Sequence, residues 1–399
     1  MKKKIAVIGT RGVPAHYGGF ESLVENLLDY ASEGVEYTVF CSSKDLKSGR
    51  SPKGIAASGK PERPASYKGA TLKYVGLHAN GAQSMFYDLI SMLRCLSGYD
   101  TLLVLGVSGC LFLPLVRLLL SRKTKLVVNI DGLEHKRDKW NKLARWILLT
   151  SEKMAVRYAD TVISDNQAIT DYVVSTYGLR SENALVTVAY GGDHVFREVS
   201  GERQREILAA YGLQAGGYAF SVCRIEPENN CHITLEAFAG AAADGYAVSA
   251  SQDAVAQAAL PLLLIGNWEH SEWARQLRSR FQGKNGVILA DAVYDLDVLY
   301  TLRSNAALYV HGHSAGGTNP SLVEAMFFGR PIFAFDVPYN RETTFGKAVY
   351  FRDADSLMAG IAQFSATGCE RSEAGAELQR LAMEHYRWAD IAARYEKIY

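Results

Sequence analysis

Apolar residues along this chain fall into two alternating patterns. Short apolar runs predict buried strands over 5–8, 37–40, 72–75, 101–105, 126–130 and 161–164. Between the first two, Phe20, Leu23, Val24, Leu27 and Leu28 recur at helical spacing, with Glu21 where an acid suits a first turn. A second series of runs follows at 218–222, 262–265, 287–289, 307–310 and 332–334. Strand and helix alternating in this way predict an α/β fold of parallel sheets. The series breaks at Tyr190-Gly-Gly-Asp193, which divides the chain into domains 1–190 and 191–379. Ligands of open α/β sheets sit at the carboxyl ends of strands. Two Rossmann-like domains with sheets facing each other would place a ligand in an interdomain cleft.

A length of 399 residues suits two such domains. The net charge of +1 gives no global field toward nucleic acid or anionic membrane. Six scattered cysteines include no Cys-x-x-Cys, which argues against structural zinc and fits a reducing compartment. Lys2 to Lys4 run straight into the first strand without a secretory leader, so the expected location is cytoplasmic. The stretch 101–120 carries one charge, Arg117, but reads as a strand, a turn and a helix broken early by Pro114 rather than a span. Arg117, Arg122, Lys123 and Lys125 beside that helix leave two readings, a solvated basic edge or a peripheral membrane contact via 111–125.

Three segments carry chemistry. In His311-Gly-His-Ser-Ala-Gly-Gly-Thr-Asn-Pro320 a strand enters a glycine-rich loop, and Asn319 with Pro320 reads as a helix start. Amides there suit a phosphate, while Glu324 one turn later suits hydroxyls. Together they suit a nucleotide sugar. The amino-terminal loop Gly9 to Phe20, with Gly18 and Gly19, is a second anion-binding candidate or simply a tight strand-to-helix turn. It has neither the dinucleotide fingerprint nor a P-loop lysine. Arg224 follows a strand and is placed either to grip a diphosphate or to pair with Glu226 or Glu228. In Asn129-Ile-Asp131-Gly-Leu-Glu134-His-Lys-Arg137 a strand-end Asp131 is an acceptor-site candidate, with a solvated helix start as the alternative. His311 and His313 lack companions at ligand spacing, so no metal is assigned.

These segments resemble the family-4 retaining glycosyltransferases of GT-B architecture, most of all a bacterial rhamnosyltransferase-like branch. The carriers are Ile8 to Glu21, Asn129 to Glu134, Arg224, Gly266-Asn-Trp268, Ala292-Val-Tyr294 and His311 to Ser321. The family's first glutamate of a spaced pair is replaced by Gly316, and Asn229 stands where its diphosphate lysine is expected. The resemblance implies metal-independent, retaining transfer without a cofactor. The sugar, best guessed as L-rhamnose from dTDP-rhamnose, would pass to a saccharide acceptor, often lipid-linked. It implies catalytic roles for Arg224 and Asp131. It also implies donor binding by Gly18, Gly19, Arg224, Asn229, Val293, Tyr294, Gly316, Gly317, Thr318, Asn319, Ser321 and Glu324. His16, Tyr17, Asp131, Glu134 and Arg137 would form the acceptor side, and a closing segment from about 380 to 399 would complete the first domain. A nucleotide-sugar 2-epimerase, a nicotinamide oxidoreductase and a non-catalytic nucleotide-sugar-binding subunit are the alternatives.

Overall fold

A computed structural model describes residues 2–15, 18–45, 63–130, 132–136, 140–178, 184–243, 260–366 and 370–399. His16, Tyr17, Asp131 and Arg137 lie outside the described residues, as do most of the 43–68 and 239–259 segments. The chain forms two compact units, Met1–Tyr190 with Trp388–Tyr399, and Gly191–Arg387.

Unit 1 is built on strands β1 (Lys3–Ile8), β2 (Val35–Ser42), β3 (Ser66–Tyr67), β4 (Ala70–Val75), β5 (Thr101–Leu105), β6 (Lys125–Asn129), β7 (Thr161–Ser164) and β8 (Leu185–Thr187). Their spatial order is β3-β4-β2-β1-β5-β6-β7-β8, parallel except for the antiparallel β3–β4 pair. Ile5 sits opposite Tyr37 on one side and Thr101 on the other. Helices α1 (Gly19–Asp29), α2 (Ser84–Leu93), α3 (Leu113–Leu119), α4 (Lys142–Tyr158) and α5 (Gln167–Tyr177) connect the strands. Central strands β1, β5 and β6 are mostly apolar because both sheet faces are covered, with Thr101 and Asn129 the buried polar residues of β5 and β6.

Unit 2 holds helices α6 (Gly201–Ala210), α7 (Cys231–Ala243), α8 (Glu272–Phe281), α9 (Leu296–Ser304), α10 (Pro320–Met326), α11 (Pro338–Thr343), α12 (Ala354–Ala366) and α13 (Glu370–His385). Its strands are β9 (Ala219–Val222), β10 (Leu262–Gly266), β11 (Val287–Asp291), β12 (Leu308–His311), β13 (Ile332–Phe335) and β14 (Val349–Phe351). They lie in the order β11-β10-β9-β12-β13-β14, all parallel.

The last helix, α14 (Trp388–Ile398), belongs to unit 1. Trp388, Ile391, Ala392, Tyr395 and Tyr399 join the core under α1, β1 and β2. Asn129 donates to the Tyr395 hydroxyl at 2.7 Å, and Lys3 donates to the Tyr399 carbonyl at 2.7 Å. The return begins at Trp388 rather than near 380, because α13 still packs on α10 of unit 2, with Gln379 donating to the Phe327 carbonyl at 2.7 Å.

Pro114 does not break its helix. It stands in the first turn of α3, where its missing N–H costs no intrahelical bond, and a 3-10 turn at Cys110–Phe112 leads in. No helix among the described residues is long and apolar enough to cross a membrane.

Candidate functional site

In unit 2 the strand order reverses at β9 and β12, the switch point at which open α/β sheets present a crevice. The loops leaving these strands are cross-braced. Asn229 is buried, donates to the Arg224 carbonyl at 2.9 Å and meets His313 Nδ1 through its side-chain oxygen at 2.8 Å. Asn230 donates to the Gly312 carbonyl at 2.8 Å, and the Ser314 hydroxyl donates to the Glu228 carbonyl at 3.0 Å. Asn229 was expected to contact a donor. In the structure its side-chain amide bridges the two loops, one N–H and its oxygen being used in doing so.

Arg224 stands at the carboxyl end of β9, more than a third exposed, 3.5 Å from Glu226 and 3.7 Å from Glu228. Both contacts are longer than a good hydrogen bond, so neither holds the guanidinium firmly. A phosphate could therefore displace them cheaply and take the planar guanidinium by two parallel bonds.

Across the switch point, the 312–319 loop ends at α10. Asn319 caps the helix, accepting from the Ser321 N–H at 3.0 Å and from its hydroxyl at 2.8 Å, and Pro320 opens the first turn. Gly316 has φ +71°, a conformation that side chains rarely adopt. Glycine is required there by the backbone, whatever sugar the site accepts. Thr318 is buried in the loop, next to Gly317. Val293 is half-buried and Tyr294 exposed in the connection between β11 and α9.

Glu324 is the charged centre of this region. Arg303, a buried residue of α9, donates to its Oε2, and His194 Nε2 lies 3.4 Å from Oε1. Burial by itself raises the carboxyl's pKa. The Arg303 guanidinium and His194 outweigh that and hold it below the usual glutamate range. The result is an ionised carboxylate fixed in direction, with lone pairs left for hydroxyl donors. Neither Arg303 nor His194 was singled out from the sequence. A helical arginine 21 residues away and a histidine in a 3-10 turn carry no spacing signal toward Glu324. His311 is buried and stacks on Tyr309 at 6.2 Å, and burial followed by neighbouring His313 depresses its pKa.

In unit 1 the loop after β1 is organised by a carboxylate. Glu21, in the first turn of α1, accepts from the Arg11 N–H at 2.9 Å and the Thr10 hydroxyl at 3.2 Å. Gly18 caps α1 at φ +134°, and a Cβ there would lie 1.9 Å from Glu21 Oε2. Glycine at 18 is thus required by the backbone, and a side chain there would also displace the Glu21 carboxylate. The α1 terminus leaves the Gly19 and Phe20 amides without intrahelical acceptors. Of the acceptor-side candidates, Glu134 is described after β6, where it accepts from Trp140 Nε1 at 3.1 Å. No group of three or more His, Cys, Asp or Glu among the described residues is arranged to hold a metal ion.

Residues 2–193 match a family described as a domain of unknown function (DUF1972). No curated protein matches the chain. Among solved structures, it is similar to Alr3699/HepE of Anabaena in complex with UDP, at 14% identity and a TM-score of 0.70, covering 100% of this chain and 99% of that one. Sucrose-phosphate synthase of Thermosynechococcus elongatus is 16% identical, with a TM-score of 0.75 over 100% and 98%. A glycosyltransferase of Rickettsia africae ESF-5 is 11% identical, with a TM-score of 0.67 over 100% and 97%. Two parallel-sheet α/β units, matched along their whole length by these structures, give the chain the GT-B fold.

Proposed function

We propose that the protein is a glycosyltransferase that moves a sugar from a nucleotide-sugar donor to a saccharide acceptor. The observation that carries this reading is Glu324. It is an ionised carboxylate held by Arg303 and His194 beside a glycine-rich loop, at the switch point of a sheet whose other loop presents Arg224. A carboxylate accepts hydroxyls and repels phosphate. An arginine and loop amides do the reverse. A ligand with a hydroxylated ring on one side and a diphosphate on the other satisfies both. The Anabaena protein with the same fold was crystallised with UDP and with UDP-glucose, which supports a nucleotide-sugar donor.

The chemical task is to stabilise charge on the departing diphosphate. Arg224 and the amides of Gly316 to Thr318, all of unit 2, would do so. The proposed course is retaining and independent of metal. The proposed sugar is a deoxyhexose, L-rhamnose from dTDP-rhamnose, and the proposed acceptor is lipid-linked. Support for these finer points is the resemblance of the long motifs to the rhamnosyltransferase-like branch. Gly316, which stands where the resembling family has a glutamate, has a backbone reason of its own.

The test is a panel of dTDP-rhamnose, UDP-glucose, UDP-N-acetylglucosamine and GDP-mannose, screened by thermal shift and then assayed for transfer to a lipid-linked saccharide. Transfer with retention, unchanged by EDTA, is expected. Formation of an epimerised sugar nucleotide from donor alone would move the protein to the epimerases. Activity lost with EDTA and restored by Mg²⁺ or Mn²⁺ would end the metal-independent reading.

A further inference from the structure

We infer that the outer faces of α2, α3 and α4 form one surface that seats unit 1 on an anionic lipid bilayer. Strand order makes them one layer. The crossovers β4 to β5, β5 to β6 and β6 to β7 all step in the same direction across the sheet. Right-handed connections then put α2, α3 and α4 on the same side. The 3-10 turn Cys110–Phe112 contacts all three helices, and α3 packs on α4. Phe86 of α2 lies against Phe112 of that turn, with ring centroids 6.2 Å apart.

The layer is turned inside out. The buried residues of α4 are Ser151, Glu152, Ala155 and Val156, whereas Leu143, Trp146 and Leu149 are exposed on its outer side. In α3, Leu118 is 84% exposed, with Leu115 and Leu119 beside it. A helix in contact with water alone presents its polar face outward. These two present leucine and tryptophan.

The charge around them points to the occupant. Arg122, Lys123, Lys142, Lys153 and Arg157 are exposed, and none makes an ion pair with a described residue. The acids are withdrawn. Glu152, the single acid of α4, is buried against His135 and the Tyr177 hydroxyl, and Asp160 is taken by both nitrogens of Arg117. Arg117 and Lys125 are therefore engaged, the latter donating to the Ile398 carbonyl, so that Arg122 and Lys123 of the 111–125 pattern remain, joined by Lys142, Lys153 and Arg157. Apolar side chains with tryptophan among lysines and arginines match an anionic interface. Protein interfaces, by contrast, are depleted in lysine. The candidate acceptor loop ends at the start of α4, where Trp140 bonds Glu134 and Arg145 bonds the Trp140 carbonyl. A surface seated this way would bring a lipid-carried saccharide to that loop. This last step rests on the glycosyl-transfer reading. The lipid contact does not.

The experiment is co-sedimentation of the full chain with phosphatidylcholine vesicles, with and without phosphatidylglycerol, at low and high salt. Binding should require phosphatidylglycerol and weaken with salt. At about 1 kcal/mol per basic residue, Lys142→Gln with Lys153→Gln should lower the partition coefficient about thirtyfold. Leu118→Ser with Trp146→Ser should lower it further without lowering the melting temperature. Absence of binding to phosphatidylglycerol vesicles overturns the proposal, as does binding unchanged in both double variants. A concentration-dependent dimer abolished by Trp146→Ser, without vesicle binding, assigns the face to a second copy and also overturns it. Vesicle binding by a protein that transfers no sugar would uphold the lipid seat and remove the transferase reading alone.

Discussion

Arg303 acts on the candidate site through the charge of Glu324. Its guanidinium counters the burial that would otherwise raise the Glu324 pKa. A carboxyl depressed in this way stabilises the fold above the ordinary glutamate range, and that contribution is lost as pH falls through the folded value. Replacing Arg303 with Met leaves burial dominant, so the Glu324 pKa rises. The acid limb of kcat/KM should then move upward by at least about one pH unit, and Arg303→Lys should restore part of it. An acid limb that stays in place in Arg303→Met would separate Arg303 from the site's electrostatics. Arg224→Ala tests charge stabilisation directly. Turnover should fall on the order of a hundredfold if Arg224 meets the leaving diphosphate, as loss of one such donor does elsewhere. Near-normal turnover would confine Arg224 to its pairs with Glu226 and Glu228. At this scale the sequence was readable where chemistry is local. Asn319 and Pro320 are a helix start on inspection, and the structure caps α10 there. Asn229 shows the limit. Its position suggested a ligand, and nothing near it in sequence announces that its amide also bridges the Arg224 carbonyl and a loop 84 residues away.

Elements were legible in proportion to the length and burial of their apolar runs. β1, β5, β9 and β10 are buried on both faces and stand out as apolar runs. The short strands β3, β8 and β14 have two or three residues and little burial, and no periodicity can be read in so few positions. Helix α2 holds a group that no pattern would flag. Asp88 is buried where Gly109 approaches so closely that a Cβ there would lie 2.3 Å from the Asp88 Cβ. Burial lifts its pKa to about 8, against the backbone hydrogen bond from Gly109, which lowers it. The folded state therefore holds a proton there that the unfolded chain releases in the ordinary aspartate range. Stability from this group is complete below that range and is lost as pH rises toward 8. Asp88→Asn should remove this dependence. The melting temperature of the variant, relative to the parent, should climb from pH 5 to about pH 8 and level off above it. A constant difference across that range would mean that Asp88 is ionised throughout.

At the scale of the whole chain, the decisive feature is that unit 1 is closed by residues from the far end of the sequence. The alternation of strands and helices predicted two α/β units, but α14 has an amphipathic pattern that fits a surface helix of either. What assigns it is the fit of specific side chains. Trp388 and Tyr395 are almost fully buried among α1, β1 and β2, and the Tyr37 hydroxyl reaches that of Tyr399 at 3.4 Å. Truncating Trp388 to Ala should cost about 3–5 kcal/mol, the range for a large aromatic removed from a packed core. For a unit of this size that corresponds to a fall in melting temperature on the order of 10 °C. The loss should be confined to unit 1. Donor binding at the Arg224 and Glu324 loops, all within Gly191–Arg387, should still raise the stability of the remainder. Scanning calorimetry of Trp388→Ala is expected to show one transition displaced downward and a second that still shifts with added nucleotide sugar. A single transition displaced as a whole, with its response to nucleotide sugar abolished, would show that α14 supports both units and not unit 1 alone.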